Sequence, residues 1–120
     1  AASDVYKRQE EALRRVLEIL LDNAQKYSSP GGETQVTLHR RGRNHCALTV
    51  ANQGEPIPPE ARRQIFQRFY RADPARSRNG SFGLGLSIAE GIVAQHHGTI
   101  DVTCAGGFNR FRAELPCQQE

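Results

Sequence analysis

The segment "RFRAELP", residues 110–116, alternates apolar and charged side chains with a strict period of two. Phe111, Ala113 and Leu115 fall on one side of an extended chain, and the charged side chains of Arg110, Arg112 and Glu114 fall on the other. This alternation predicts a β-strand with one face on a core and the other face in water. A sheet of such strands needs helical cover on one side only.

Residues 10–27 provide a helix suited to that cover. Apolar side chains recur there at steps of three and four residues, at Leu13, Val16, Leu17, Leu20 and Ala24. This spacing places one apolar stripe along an amphipathic helix. The helix is expected to end at "SSPGG", residues 28–32, which is a cluster of helix breakers.

Further patterns complete a chain of short elements. They predict strands at residues 34–40 and 45–52 joined by "RGRN", a short helix at 59–69 starting at Pro59, a loop at 71–82, a helix at 83–97 capped by Gly98, and two strands at 99–104 and 110–116 around "AGG". Strands and helices do not alternate one by one in this order. The sequence therefore predicts an α+β fold, a two-layer sandwich with helices on one face of the sheet.

Composition excludes some classes of protein. The 120 residues suit one domain, and no apolar run approaches the length of a membrane span. Three widely spaced cysteines, Cys46, Cys104 and Cys117, indicate reduced thiols in a cytosolic domain rather than a disulfide framework or a zinc site.

Arginines crowd into residues 62–78, which permits a nucleic-acid interpretation. The net charge is only +3, so this pattern favours a solvated face with one or two arginines for an anionic ligand.

Glycines precede the second helix in "NGSFGLGLSIAEGIV", residues 79–93. A Walker loop is excluded because no lysine follows Gly85, and a Rossmann fingerprint is excluded because Ile88 stands where its third glycine belongs. The remaining interpretation is a loop that leads into a helix N-terminus, where backbone N–H groups suit a phosphate chain.

A second group of polar residues closes the first helix. In "LLDNAQKYS", Asn23, Lys26 and Tyr27 lie three and four residues apart, so they occupy neighbouring faces of one turn. An amide for magnesium, a cation for phosphate and a ring for a base form a set suited to a nucleotide. Asn52, at a strand end before Gly54, is placed to hydrogen-bond a planar base.

Four segments in this order resemble the catalytic and ATP-binding domain of sensor histidine kinases, within the gyrase/Hsp90/histidine kinase ATPase superfamily. They are "LLDNAQKYS" (N box), "VANQGEPIP" (first glycine box), "IFQRFYRAD" (F box) and "NGSFGLGLSIAEGIVAQHHGTI" (second glycine box). The resemblance covers residues 11–116. It implies a Bergerat-type sandwich with a mixed, mainly antiparallel sheet and ATP between the helical layer and a lid at residues 71–82.

The resemblance also implies roles for individual residues. Asn23 would bind the Mg²⁺ that bridges the ATP phosphates, Lys26 would contact phosphate, Tyr27 would cover adenine, Asn52 would face its exocyclic amine and Gly54 would shape the pocket floor. Arg68 or Arg71 would be the arginine near the γ-phosphate. The remaining nucleotide-binding positions would be Ile57, Phe69, Gly80, Gly83, Leu84, Gly85 and Leu86, with Phe66 and Phe69 anchoring the lid.

The implied reaction is transfer of the ATP γ-phosphate to a histidine on a separate dimerisation domain. None of His39, His45, His96 and His97 fits the acceptor pattern, so this chain alone should bind ATP and ADP without phosphorylating itself. The implied partners are the dimerisation and phosphoacceptor domain of the parent kinase and, indirectly, a response regulator. We expect no contact with nucleic acid and no direct contact with a membrane. We expect a cytoplasmic location. Residues 1–9 are interpreted as a linker or added segment, 10–117 as the domain and 118–120 as a tail.

Three positions depart from the family pattern. Ile19 replaces a polar residue four positions before Asn23, Asn52 replaces an aspartate, and Phe82 replaces a small hydroxyl residue. They leave open a degenerate domain of the same fold that acts as a regulatory or interaction module. A serine kinase of the anti-sigma type is a further alternative, which the F box disfavours.

Overall fold

The computed structural model of this chain describes residues 2–67 and 85–117. In chain order the elements are α1 (Ala2–Tyr27), β1 (Thr34–Arg41), β2 (His45–Gln53), two 3₁₀ turns (Pro59–Ala61 and Gln64–Phe66), α2 (Gly85–Gln95), β3 (Thr99–Ala105) and β4 (Phe108–Pro116). Both predicted strand pairs and both long helices are confirmed. The domain has the predicted α+β architecture.

The four strands form one sheet in the order β1-β2-β4-β3. Every pairing among the described strands is antiparallel, so these strands lack the parallel component expected of a mixed sheet. In the central pair, Val50 of β2 lies opposite Phe111 of β4, and Asn52 lies opposite Asn109. Val50 and Asn52 of β2 therefore point to the same face of the sheet as Phe111 and Asn109 of β4.

The core lies between that face and the two helices. The predicted alternation in β4 is confirmed, since Phe111, Ala113 and Leu115 are buried while the residues between them are only partly buried. Val16 and Leu20 of α1 have no exposed surface, so the apolar stripe of this helix packs inward as predicted. The edge strand β1 is exposed along its length, including Val36 and Leu38.

Polar residues cover the opposite face of the sheet. Glu114 Oε1 lies 3.5 Å from Arg41 Nη1 and 3.4 Å from Arg112 Nη2. Within the described ranges, no helix combines the length and the apolar character needed to cross a membrane.

The first helix is longer than the sequence pattern predicted, because it begins at Ala2 rather than at residue 10. Residues 2–10 contain no glycine or proline, so nothing in the sequence interrupts the helix there. The apolar stripe that defined the prediction begins only at Leu13. The assignment of residues 1–9 to a linker stays a prediction.

The predicted helix at residues 59–69 is wrong in type. The chain forms two 3₁₀ turns, held by bonds such as that from the Ala61 N–H to the Pro58 carbonyl (2.9 Å). Only Ala61, Ile65 and Phe66 are buried there, and short turns are enough to bury them. Residues 68 and 69 lie outside the described ranges.

The end of α2 also differs from the prediction of a Gly98 cap. The helix ends at Gln95, and His97 adopts the left-handed conformation with φ 62°. The Gly98 N–H donates to the Val93 carbonyl (2.9 Å), and the His97 N–H donates to the Ala94 carbonyl (3.0 Å). These two bonds form a Schellman motif in which histidine takes the position usually held by glycine.

The interpretation of all three cysteines as reduced is wrong for two of them. Cys46, at the start of β2, and Cys117, just after β4, form a disulfide with their Cα atoms 5.8 Å apart. The antiparallel register places Cys46 opposite Leu115, two residues before Cys117. Cys104 is a free thiol.

Candidate functional site

The C-terminal turn of α1 meets the end of β2 and the loop after it at one edge of the helical layer. The N-terminus of α2 packs against α1 at Ile19. α1 brings Asn23, Lys26 and Tyr27 to this edge, each only partly exposed. Breaker residues 28–32 then turn the chain back, and the Ser29 N–H donates to the Gln53 carbonyl (2.9 Å). This bond ties the end of the helix to the end of the strand.

Asn52 lies at the centre of this junction and is 1% exposed. Its Nδ2 donates to the Tyr27 carbonyl oxygen at 3.5 Å. Because the amide group is planar, this donation directs Oδ1 away from Tyr27. The predicted base-binding residue is thus held against the helix end that carries the predicted aromatic cover.

Gly54 is required by close packing at the same place. A Cβ atom on this residue would lie 2.8 Å from the Tyr27 carbonyl oxygen and 3.2 Å from Asn52 Nδ2. Any larger side chain would separate α1 from the loop. The role of Gly54 in shaping the floor of a nucleotide pocket stays a prediction.

The N-terminus of α2 lies against the middle of α1. A Cβ atom on Gly85 would lie 3.5 Å from Ile19 Cγ2, and Ile19 is 8% exposed. Ile19 and Asn23 are four residues apart on α1, so they share a face of the helix. The first turn of α2, which carries the positive end of the helix dipole, therefore lies near Asn23. Leu86 packs against the core from the same turn.

Lys26 provides the positive side chain of the site. Its Nζ lies 3.0 Å from Asp22 Oδ2, and the Asp22 side chain is 62% exposed. The Lys26 side chain is 26% exposed, and because its partner is open to water the pair is screened and contributes about 1 kcal/mol. An anionic ligand can therefore replace Asp22 as the partner of the Lys26 ammonium group with little loss of free energy.

Sequence reasoning missed Asn109, the second buried polar side chain among the described residues. It lies on β4 opposite Asn52 and contacts the loop that follows β2. Its signal was present in the sequence. In the period-two pattern of β4, Asn109 falls on the same side as Phe111, Ala113 and Leu115, where an amide is out of place unless it is hydrogen-bonded.

Several predicted site residues fall outside the described residues: Arg68, Phe69, Arg71, Gly80, Gly83 and Leu84. The predicted lid at residues 71–82 and the departure at Phe82 fall there as well. Ile57 is described and packs, partly buried, against the core.

The sequence profile of the histidine kinase-, DNA gyrase B- and HSP90-like ATPases matches residues 8–119. The chain belongs to this ATPase family. A catalytic, ATP-binding domain of the sensor histidine kinase type is thus assigned to nearly the whole chain.

Relatives of this ATPase domain are two-component sensor proteins. It is 48% identical over 99 residues to the signal transduction histidine-protein kinase/phosphatase MprB of Mycolicibacterium smegmatis, an alignment that covers 81% of this chain and 20% of MprB. It is 44% identical over 105 residues to the sensor histidine kinase CusS of Escherichia coli K12, covering 87% of this chain and 22% of CusS. The chain spans about a fifth of the length of these relatives.

Solved structures share the fold of the domain. The mycobacterial sensor histidine kinase MprB superimposes with a TM-score of 0.77 at 32% identity, covering 92% of this chain and 73% of that one. The catalytic domain of histidine kinase ThkA superimposes with a TM-score of 0.76 at 28% identity, covering 92% and 69%.

Proposed function

We propose that this ATPase domain transfers the γ-phosphate of Mg²⁺-bound ATP to a histidine on a separate dimerisation domain of its parent kinase. The observation that carries the proposal is the convergence of Asn23, Lys26 and Tyr27 with Asn52, Gly54 and the N-terminus of α2. The family assignment provides ATP as the ligand. The residue roles and the acceptor are the parts proposed.

Adenine is proposed to bind beside Asn52 and Tyr27. The Asn52 Nδ2 is engaged by the Tyr27 carbonyl, so its Oδ1 is the acceptor offered to the exocyclic amine of the base. A neutral amide forms a weaker hydrogen bond than a carboxylate, by about a factor of two. We therefore expect Asn52 to accept a hydrogen bond from adenine, as an aspartate would, but to bind the base less tightly.

The triphosphate is proposed to lie between Asn23, Lys26 and the first turn of α2. Mg²⁺ in nucleotide sites takes one or two protein oxygens, with phosphates and water as its other ligands, so the single amide oxygen of Asn23 fits it. The bound ion would neutralise charge on the phosphates during transfer. Lys26 and the N–H groups of α2 would add positive potential along the chain of phosphates.

Phosphoryl transfer depends on positioning and charge neutralisation more than on acid–base groups. This fits Ile19, which is packed in the core and offers no polar group near Asn23. The acceptor histidine, on the dimerisation domain, would then approach from outside this domain. Arg68 or Arg71 is proposed to contact the γ-phosphate, with residues 71–82 as the lid.

The physiological setting is proposed by relation to the same proteins. A solved structure holds histidine kinase ThkA in complex with response regulator protein TrrA. We propose that a response regulator acts on the phosphorylated parent protein, and that this domain works on the cytoplasmic side, where ATP is available.

Asn23→Ala should weaken Mg²⁺-dependent binding of ATP and ADP by about tenfold or more, because loss of a charge-assisted contact of about 1.5 kcal/mol or more corresponds to that ratio. Calorimetric titration with and without Mg²⁺ measures this change. The matched control is Gln25→Ala, which removes an exposed amide two residues along the same helix and should leave the Kd unchanged. Equal Kd values for Asn23→Ala and wild type with Mg²⁺ would reject the metal role.

Transfer itself is tested by mixing the domain with the dimerisation domain of its parent kinase and ATP labelled on the γ-phosphate. We expect label on the dimerisation domain and none on this chain alone. A domain that binds ATP with ordinary affinity but labels no acceptor would instead be the regulatory module of the alternative hypothesis.

A further inference from the structure

Asn109 is buried beside the proposed base site, and both ends of its amide are used. It is 4% exposed, and it lies directly across the sheet from Asn52. Its Oδ1 accepts the N–H of Ile57 at 3.2 Å, and its Nδ2 donates to the carbonyl oxygen of Glu55 at 2.9 Å. One side chain on β4 therefore makes two hydrogen bonds to the backbone of the loop that follows β2.

Other hydrogen bonds also hold this loop, since the Gly54 N–H donates to the Gly107 carbonyl oxygen (3.3 Å) and Arg62 Nε donates to the Ile57 carbonyl oxygen (3.2 Å). Residues 54–59 include prolines at 56, 58 and 59, which have no N–H group to donate. A β-ladder cannot continue through such a segment. The Asn109 amide provides the hydrogen bonds that a neighbouring strand would otherwise make. Its acceptor and its donor contact two loop residues, Ile57 and Glu55, that are two positions apart.

Cys104 adds a third contact to the same group. Its Sγ lies 2.9 Å from Asn109 Oδ1 and 3.7 Å from the Ile57 carbonyl oxygen. The thiol is a weak donor, so this contact restricts the orientation of the amide more than it adds energy. The orientation it favours is the one that leaves Nδ2 facing Glu55.

We propose that Asn109 is a positioning residue for base recognition, which holds residues 54–57 in the form that adenine binds. This inference rests on the proposed nucleotide function. Gly54 and Ile57 belong to the predicted pocket, and the loop between them adjoins Asn52. A loop that is ordered before binding does not lose conformational freedom when the base arrives, so its preorganisation contributes to affinity for the base and not for the phosphates.

The test compares Asn109→Ala with wild type for three ligands: ATP, adenosine and magnesium pyrophosphate. We expect ATP and adenosine each to bind about tenfold more weakly to the variant, because the hydrogen bonds that hold the loop are lost. Magnesium pyrophosphate should bind equally to both proteins. Asn44→Ala is the matched control, since it removes an exposed asparagine side chain from the turn at the far end of β2 and should change none of these affinities.

Hydrogen exchange in the free protein separates local positioning from general loss of stability. In Asn109→Ala the Ile57 N–H should exchange about tenfold faster or more, while the Val102 and Phe111 N–H groups of the sheet keep their wild-type rates. If this variant does not fold, Asn109→Asp keeps the acceptor for Ile57, removes the donor to Glu55 and should act in the same direction.

The outcomes are distinguishable. Unchanged adenosine binding in either folded variant, or an equal loss for pyrophosphate, overturns the positioning role. Failure of the wild-type protein to bind any of the three ligands overturns the proposed function itself.

Discussion

Replacement of Gly98 by alanine is expected to lower the free energy of unfolding by about 3 kcal/mol, a large part of the stability of a domain this size. A Cβ atom at this position would overlap the Glu114 carbonyl oxygen and would lie 2.9 Å from Leu115 Cδ2 and 3.0 Å from Val93 Cγ1. The first of these atoms belongs to the backbone of the central strand β4 and cannot rotate away. Room for the methyl group has to come from moving the end of α2 off the sheet.

Urea unfolding of Gly98→Ala against wild type measures this cost. Gly91→Ala is a control of opposite sign. Gly91 lies within α2, and a Cβ atom there would meet nothing within 4 Å. Alanine in a helix interior is more stable than glycine by about 0.5–1 kcal/mol, so this variant should unfold at higher urea. The packing explanation fails if Gly98→Ala unfolds within about 0.5 kcal/mol of wild type.

Reduction of the Cys46–Cys117 disulfide is expected to lower the free energy of unfolding by about 4 kcal/mol. The two cysteines are separated by 71 residues, and a cross-link that closes so long a loop removes much of the entropy of the unfolded chain. A cytoplasmic domain would be exposed to reductants that break this bond. The stability of the reduced form is therefore the value that matters for the proposed location.

Thermal unfolding with and without a thiol reductant tests this prediction. Cys46→Ser should unfold at the lower temperature under both conditions, whereas Cys104→Ser should keep the full difference because Cys104 is a free thiol. Alkylation of three thiols in the unfolded, unreduced protein would show that the bond does not form. Nucleotide binding should survive reduction, since Cys46 and Asn52 are six residues apart on β2, a distance of about 20 Å.

Much of the fold was predictable because local patterns report burial. The spacing of Val16 and Leu20 indicates which face of α1 is buried. The alternation around Phe111 indicates which face of β4 is buried. The positions of the polar residues Asn23–Tyr27 and Asn52 were also predictable from local sequence, because each lies within a few residues of a recognisable element end.

Other features could not be predicted in this way. The two 3₁₀ turns bury only Ala61, Ile65 and Phe66. The left-handed His97 belongs to the Schellman motif that ends α2. Cys46 and Cys117 meet, and Asn109 reaches the loop after Asn52, only because β2 and β4 pair in one particular register.

The sequence by itself determined the two long helices, the four strands, the one-sided sheet and the ATPase family of this domain, because periodicity and short motifs are properties of neighbouring residues. The tertiary structure alone decided which cysteines form the disulfide, why position 98 must be glycine and how Asn109 holds the loop beside the base site. Each of these depends on atoms brought together from distant parts of the chain, and their distances are set by strand register and helix packing.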